Sequence, residues 1–185
     1  MILLRHGQSE FNLLFTATRK DPGIADPVLT EAGLAQARAA GEALRGEGVR
    51  RIVTSPYRRT LQTAEVVASV LRVPIGIDPL VRERYGFSCD IGSPVSALRS
   101  DWPQHDFSAV DEVWWPAEEE PVEGIISRAN AFRATMAQAP DWTDVLVVSH
   151  WGFILSLTGK SVANGAWMRC DPAAPAPEEI LWRHL

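Results

Sequence analysis

Short apolar runs alternate along the chain with longer stretches whose apolar residues recur at helical spacing. Met1 to Leu4 is the first run, and Arg51 to Thr54, Pro74 to Ile77 and Asp144 to Ser149 follow it. The last of these, DVLVVS, reads as a fully buried strand. Thr30 caps a predicted helix from Glu31 to Arg45, with Leu34, Ala37 and Leu44 near helical spacing and Gly46 and Gly48 ending it. Tyr57 to Leu71 predicts a second helix whose apolar face holds Leu61, Ala64, Val67, Ala68 and Leu71. Gly124 to Ala139 and Trp151 to Thr158 predict two more, and Ile180-Leu181-Trp182 predicts an edge strand. Strands alternating with helices in this way indicate an α/β fold with a mostly parallel sheet.

Residues 1–185 read as a single domain, since the length supports one sizeable core and is short for two. One segment breaks the alternation. From 86 to 121 the chain is irregular, carries Trp102, Trp114 and Trp115, and is longer than an ordinary connection. It reads as a lid or as a wall of the pocket, and its tryptophans read first as packing residues.

Composition narrows the function classes. Hydrophobic residues make up 46% and charged residues 22%, which fits a globular domain rather than a disordered or fibrous chain. The net charge of -5, without a run of five like charges, argues against a surface built for nucleic acid or anionic lipid. Glu118 to Glu120 reads as a solvated turn. No apolar stretch reaches the roughly 18 residues that span a bilayer. Met1 to Leu4 meets Arg5 and His6 too soon for a cleavable leader. Cys89 and Cys170 belong to no CxxC pattern, so they read as reduced thiols, and the expected location is cytoplasmic.

The polar residues gather where the predicted strands end. Arg5 and His6 follow the first strand, Ser55-Pro56-Tyr57-Arg58-Arg59 the second, Glu83 the third and His150 the fourth. Ligands of open α/β sheets bind beyond the carboxyl ends of the strands, so these groups share one rim. Phosphoryl transfer explains the combination. Arginine bonds two phosphoryl oxygens at once. A neutral imidazole attacks phosphorus and carries the group covalently. A carboxylic acid protonates the leaving alkoxide and then activates water. Arg5 and Arg59 beside His6 would hold it unprotonated. Taken singly, a histidine or arginine after a strand is usually a hydrogen-bonded surface group. The ordered series RHGQSEFN, SPYRRTLQTA and VVSH is what separates the site from that reading.

These motifs resemble those of the histidine phosphatase superfamily, the phosphoglycerate mutase-like branch, over Met1 to about Gly159. LLRHGQSEFN is similar to the N-terminal signature and puts His6 in the nucleophile position. SPYRRTLQTA is similar to the second signature and selects Arg59 rather than Arg58. VRERYG resembles the acid-bearing segment and makes Glu83 the proton donor, with Glu31 and Glu10 as poorer choices, and VVSH aligns His150 with the second catalytic histidine. By that resemblance Arg5, Asn12, Arg59 and His150 bind phosphoryl oxygens, Gly7 lets the backbone approach closely, and Gln8 and Ser9 line the entrance. It implies a three-layer α/β/α sandwich and neither metal nor organic cofactor. Trp151 departs from the pattern, because the second histidine is usually followed at once by glycine and here Gly152 comes one residue later. Its indole is expected to narrow the mouth.

The reading is a phosphomonoesterase acting on a small phosphorylated metabolite. Arg19, Lys20 and Arg84 could meet a second charged group of the substrate, though solvated surface is their default; Arg128 reads as structural, and His105 and His184 have no motif context. The alternatives are a phosphoglycerate mutase-type phosphotransferase, a protein phosphohistidine phosphatase and a non-catalytic phospho-ligand binding module. The missing second basic cluster disfavours the first. The long segment after Tyr85 would hinder a protein substrate. A binder needs neither nucleophile nor acid.

Overall fold

A computed structural model describes residues 1–182, so His184 lies outside the described residues. Five strands form one sheet: β1 (Ile2–Arg5), β2 (Arg51–Thr54), β3 (Ile75–Ile77), β4 (Val145–Ser149) and β5 (Trp167–Arg169), in the order β3-β2-β4-β1-β5. The first four run parallel and β5 lies antiparallel to β1, so the sheet is mostly parallel.

Alternation along the strands explains the layers. Successive side chains point to opposite faces. Leu3, Val53, Val145 and Val147 bury against Ile125, Ala129 and Phe132 of α5 (Val122–Gln138) and Phe153, Ile154 and Leu157 of α6 (Trp151–Thr158). Ile2, Leu4, Ile52, Leu146 and Val148 bury on the other face against Ala40 of α2 (Glu31–Ala43) and Ala64 and Val67 of α3 (Arg58–Leu71). The result is a three-layer α/β/α sandwich. All five residues of β4 are buried, as a strand covered on both faces requires.

Three elements differ from the sequence reading. α1 (Glu10–Thr18) forms where no helix was expected; it starts at a capping box in which Ser9 Oγ accepts from the Asn12 amide and Asn12 Oδ1 accepts from the Ser9 amide. The edge strand is Trp167–Arg169 and not Ile180-Leu181-Trp182, which carries no strand; Trp182 instead packs its ring on Trp151, with centroids 5.8 Å apart. The segment 86–121 holds a turn of 3₁₀ helix at Ser88–Asp90 and α4 (Val95–Asp101). Its Trp102, Phe107, Val110 and Trp114 bury against Tyr57 and Leu61, giving the domain a third apolar cluster. Trp114 meets Tyr57 edge to face at 4.5 Å.

Candidate active site

Arg5 ends β1 and His6 follows it; Ser149 ends β4 and His150 follows it as the residue before α6. The parallel pairing of β1 with β4 sets Arg5 opposite Ser149, so the two imidazoles leave the sheet side by side. Their ring centroids lie 5.2 Å apart, edge to face. A cavity of about 290 Å³ opens there, lined at its inner end by Arg5, His6, Arg59, Glu83 and Asp90.

His6 is buried, and its Nδ1 stands 2.7 Å from the Gly7 carbonyl oxygen. A carbonyl only accepts, so Nδ1 carries the proton and Nε2 keeps its lone pair. Burial, with the charges of Arg59 and Arg5 behind it, holds the His6 pKa well below 6.5, against the opposing hydrogen bond to Gly7. The ring is therefore a neutral imidazole with a defined tautomer. His150, fully buried, is held neutral in the same way, first by burial and then by Arg59. Its Nε2 meets Ser55 Oγ at 2.9 Å, and its Nδ1 is buried without a partner among the described residues.

Arg5 gives one Nη to the Val162 carbonyl at 2.9 Å, while its Nε is buried without a partner among the described residues. Burial lowers its pKa to about 10, so it remains a cation at neutral pH. Arg59, on the first turn of α3, donates to the Cys89 carbonyl at 2.6 Å and to Asp90 Oδ1 at 3.1 Å, its guanidinium lying 4.2 Å from the Tyr57 ring centroid. Arg58, one position away, turns outward to Ser93 Oγ and Asp101. The helix thus separates the two arginines, as about 100° per residue demands.

Glu83 sits after the 3₁₀ turn Pro79–Val81, with Oε1 accepting from the Arg84 amide at 2.8 Å and Oε2 from the Gly152 amide at 3.1 Å. Glycine at 152 leaves this carboxylate its place. A Cβ there would stand 3.3 Å from Glu83 Cδ, with Oε1 nearer still. The loop carrying Glu83 is tied down from α5 by buried Arg128, which pairs with Glu120 at 2.6 Å and donates to the carbonyls of Leu80, Arg82 and Glu83.

Of the other expected positions, Ser9, Asn12, Arg84 and Trp151 line the cavity, whereas Gly7, Gln8 and the fully buried His150, which lies behind His6, do not. Asn12 Oδ1 is taken by Ser9 and by Asn164 Nδ2, leaving its NH2 as the group free to serve a ligand. The close approach at Gly7 is not to the cavity. A Cβ on Gly7 would stand 2.8 Å from the Gly33 carbonyl carbon, and the Gly7 amide donates to Thr63 Oγ1. Gln8 Oε1 accepts from Thr30 and its main chain bonds Gln36, so it serves the α2 start rather than the entrance. Trp151 Nε1 donates to Ser161 Oγ at 2.8 Å, which fixes the indole as a wall. Arg84 is engaged by Glu119 and by the Glu120 carbonyl.

Sequence reasoning missed Asp90 and Asn164, and it set Ser55 on the rim without giving it a role. Asp90 is buried and accepts from Arg59 and from the amides of Gly86 and Phe87; burial, against the pull of Arg59, raises its pKa to about 6. Asn164 Nδ2 bridges the His6 carbonyl and Asn12 across 158 positions of sequence. Among the described residues no group of three or more His, Cys, Asp or Glu could hold a metal ion, and both cysteines are free thiols. No described helix is long and apolar enough to cross a membrane.

Comparison with known proteins finds relatives in sequence and in fold. A curated relative, the "Probable phosphoglycerate mutase GpmB" of Citrobacter koseri, is 28% identical over 97% of this chain and 86% of its own length. The counterpart from Photorhabdus laumondii is 41% identical over 81 residues, which is 44% of this chain and only 36% of that protein. Among solved structures, a mycobacterial glucosyl-3-phosphoglycerate phosphatase aligns at TM-score 0.64 and 25% identity, covering 90% of this chain and 87% of that one. The Bombyx ("Bombix mori") ecdysone phosphate phosphatase shares the fold at TM-score 0.66 and 19% identity, covering 99% and 95%. The model of the histidine phosphatase superfamily (branch 1) matches residues 1–173. The chain belongs to that superfamily, and its fold is that of a histidine-superfamily phosphatase.

Proposed function

We propose that this protein hydrolyses a small phosphomonoester in two steps through a phosphohistidine on His6. The observation that carries the reading is the hydrogen bond from His6 Nδ1 to the Gly7 carbonyl, which leaves Nε2 as a neutral nucleophile in a cavity holding two arginines and a carboxylate. The Nε2 lone pair forms a bond to phosphorus as the P–O bond to the alcohol breaks. Protonated Glu83 gives its proton to the departing oxygen, so the alcohol leaves neutral. The resulting carboxylate then takes a proton from water, the water oxygen bonds phosphorus, and the P–N bond breaks to release inorganic phosphate and restore His6. Arg5, Arg59, His150 and the Asn12 amide supply donors to the three phosphoryl oxygens, and their positive field opposes charge build-up in the transition state. Among the described residues Arg5 Nε and His150 Nδ1 are buried without a hydrogen-bond partner, which supports that role for them.

The names of the curated relatives support one rival, transfer of the phosphoryl group to a second alcohol instead of to water. Product analysis separates the two, by inorganic phosphate release against recovery of an isomeric phosphoester. The test of the mechanism is rapid acid- or alkali-quench labelling with a phosphodonor. A base-stable, acid-labile phosphate on His6 is expected, together with loss of turnover in a folded His6→Ala variant. An alanine variant with full activity overturns the mechanism.

A further inference from the structure

Beyond the arginines the cavity is walled by rings. Phe11 and Phe15, one turn apart on α1, stack with centroids 5.3 Å apart, and Phe87 closes on them at 5.7 and 5.3 Å. Trp151 and Trp182 stand edge to face elsewhere in the lining. Phe15 and Phe87 are only half-buried, and both line the cavity, so their packing leaves apolar surface turned to it. The charged groups tell the same story from the other side. Past the inner end the one cation among the described lining residues is Arg84, already paired with Glu119 at 2.9 Å and lying over the Trp182 ring at 5.5 Å. A second anionic group on a substrate would therefore find no unpaired guanidinium among the described residues that line this part of the cavity.

We propose that this site selects phosphomonoesters whose alcohol carries one uncharged, ring-sized apolar body, and that it discriminates against those bearing a second anion such as a carboxylate. The inference rests on the phosphomonoesterase reading above, but it is tested without turnover. Phosphonates carry a P–C bond that the hydrolytic steps do not cleave, so their affinity reads the pocket alone.

Calorimetric titration of the full chain with methylphosphonate, 2-phenylethylphosphonate and 3-phosphonopropionate gives the comparison. Burying a phenyl ring between the two walls should tighten binding about 10- to 100-fold over methylphosphonate. The carboxylate-bearing 3-phosphonopropionate should bind no tighter than methylphosphonate. Phe15→Ala and Phe87→Ala should each bring the phenylethyl-to-methyl ratio down toward one, and Phe15→Leu, which keeps most of the volume, serves if an alanine variant fails to fold. Equal affinities for the phenylethyl and methyl compounds, or tightest binding of 3-phosphonopropionate, overturn the proposal. Its failure is separable from that of the mechanism: the labelling of His6 decides the chemistry, and these ratios decide the substrate class.

Discussion

Gly152→Ala should disable the acid while sparing the fold. The Gly152 amide holds Glu83 Oε2 at 3.1 Å, and a Cβ on this residue would come within 3.3 Å of Glu83 Cδ and closer to Oε1. Ordinary carbon–carbon contact is about 3.5–4.0 Å, so the carboxylate has to retreat by roughly 1 Å. The atom in the way is the tip of a flexible side chain, and alanine suits a helix better than glycine by about 0.5–1 kcal/mol. The melting temperature should therefore hold or rise. A displacement of ~1 Å in a reacting group costs about 10²-fold in rate, or roughly 2.7 kcal/mol of transition-state stabilisation. That loss should appear with ethyl phosphate, whose alkoxide cannot depart unprotonated. Phosphorylation of His6 by p-nitrophenyl phosphate should fall far less, because its leaving group needs no proton. Steady-state kcat/KM for the first ester and the burst rate for the second are the two measurements, with Glu83→Gln alongside. A folded Gly152→Ala variant that hydrolyses ethyl phosphate normally, or loses both esters equally, refutes Glu83 as the proton donor and returns attention to other carboxylates such as Asp90, Asp101 or Asp106.

Arg59→Ala should cost several kcal/mol in kcat/KM and also destabilise the fold by about 3–5 kcal/mol, since it strands buried Asp90; Arg58→Ala, whose short contacts are to half-buried Ser93 and exposed Asp101 and whose pairing with buried Asp26 is a long 3.9 Å, should cost less in both, and kinetics in the reverse order would contradict the geometry. Gly7→Ala should destabilise by about 1–3 kcal/mol or more, because the backbone of Gly33 cannot move aside; a denaturant midpoint equal to wild type would count against that packing. Stability should fall on acidification below about 6.5, where the unfolded chain protonates two histidines that the fold keeps neutral. Asp90 opposes this trend: its pKa rises from 3.8 to about 6 on folding, so its own contribution diminishes as pH climbs through that window. Asp90→Asn should accordingly steepen the acid loss of stability between pH 6 and 4, and melting curves with an unchanged slope would refute the assignment.

The sheet and its central residues were legible because local signals and tertiary demands coincide there. DVLVVS needs two covered faces, and β4 has them. The positions of Arg5, His6, Arg59 and His150 were legible because each ends or follows a strand or opens a helix within its own motif, whereas Glu83 stands beyond a 3₁₀ turn that the sequence did not announce. α1 was hidden because Leu13 and Leu14 are exposed, which spoils its apolar periodicity, and because its start depends on Ser9 and Asn12 capping each other. β5 was hidden because it is three residues long with none fully buried, while the apolar Ile180-Leu181-Trp182 offered a stronger false signal. Asp90 and Asn164 owe their places to contacts across 31 and 158 positions, and no local pattern announces such a contact. Gly7 was misread in purpose, since the residue that its missing side chain admits belongs to α2.

The two imidazoles emerge from neighbouring rungs of one parallel ladder, whereas the ring-bearing walls come from α1, the turn at 86–90, the first residue of α6 and the tail near 182. On the function proposed above, reaction centre and recognition surface are thus built from different structural stock. Strand spacing of about 4.8 Å is dictated by backbone hydrogen bonds and does not change with side-chain identity. The walls have no such constraint: exchanging Phe15, Phe87 or Trp182 reshapes the volume offered to the alcohol without touching the ladder. A lineage built on this plan can therefore change what it dephosphorylates by small steps at the periphery, keeping one unchanging chemical step at its centre.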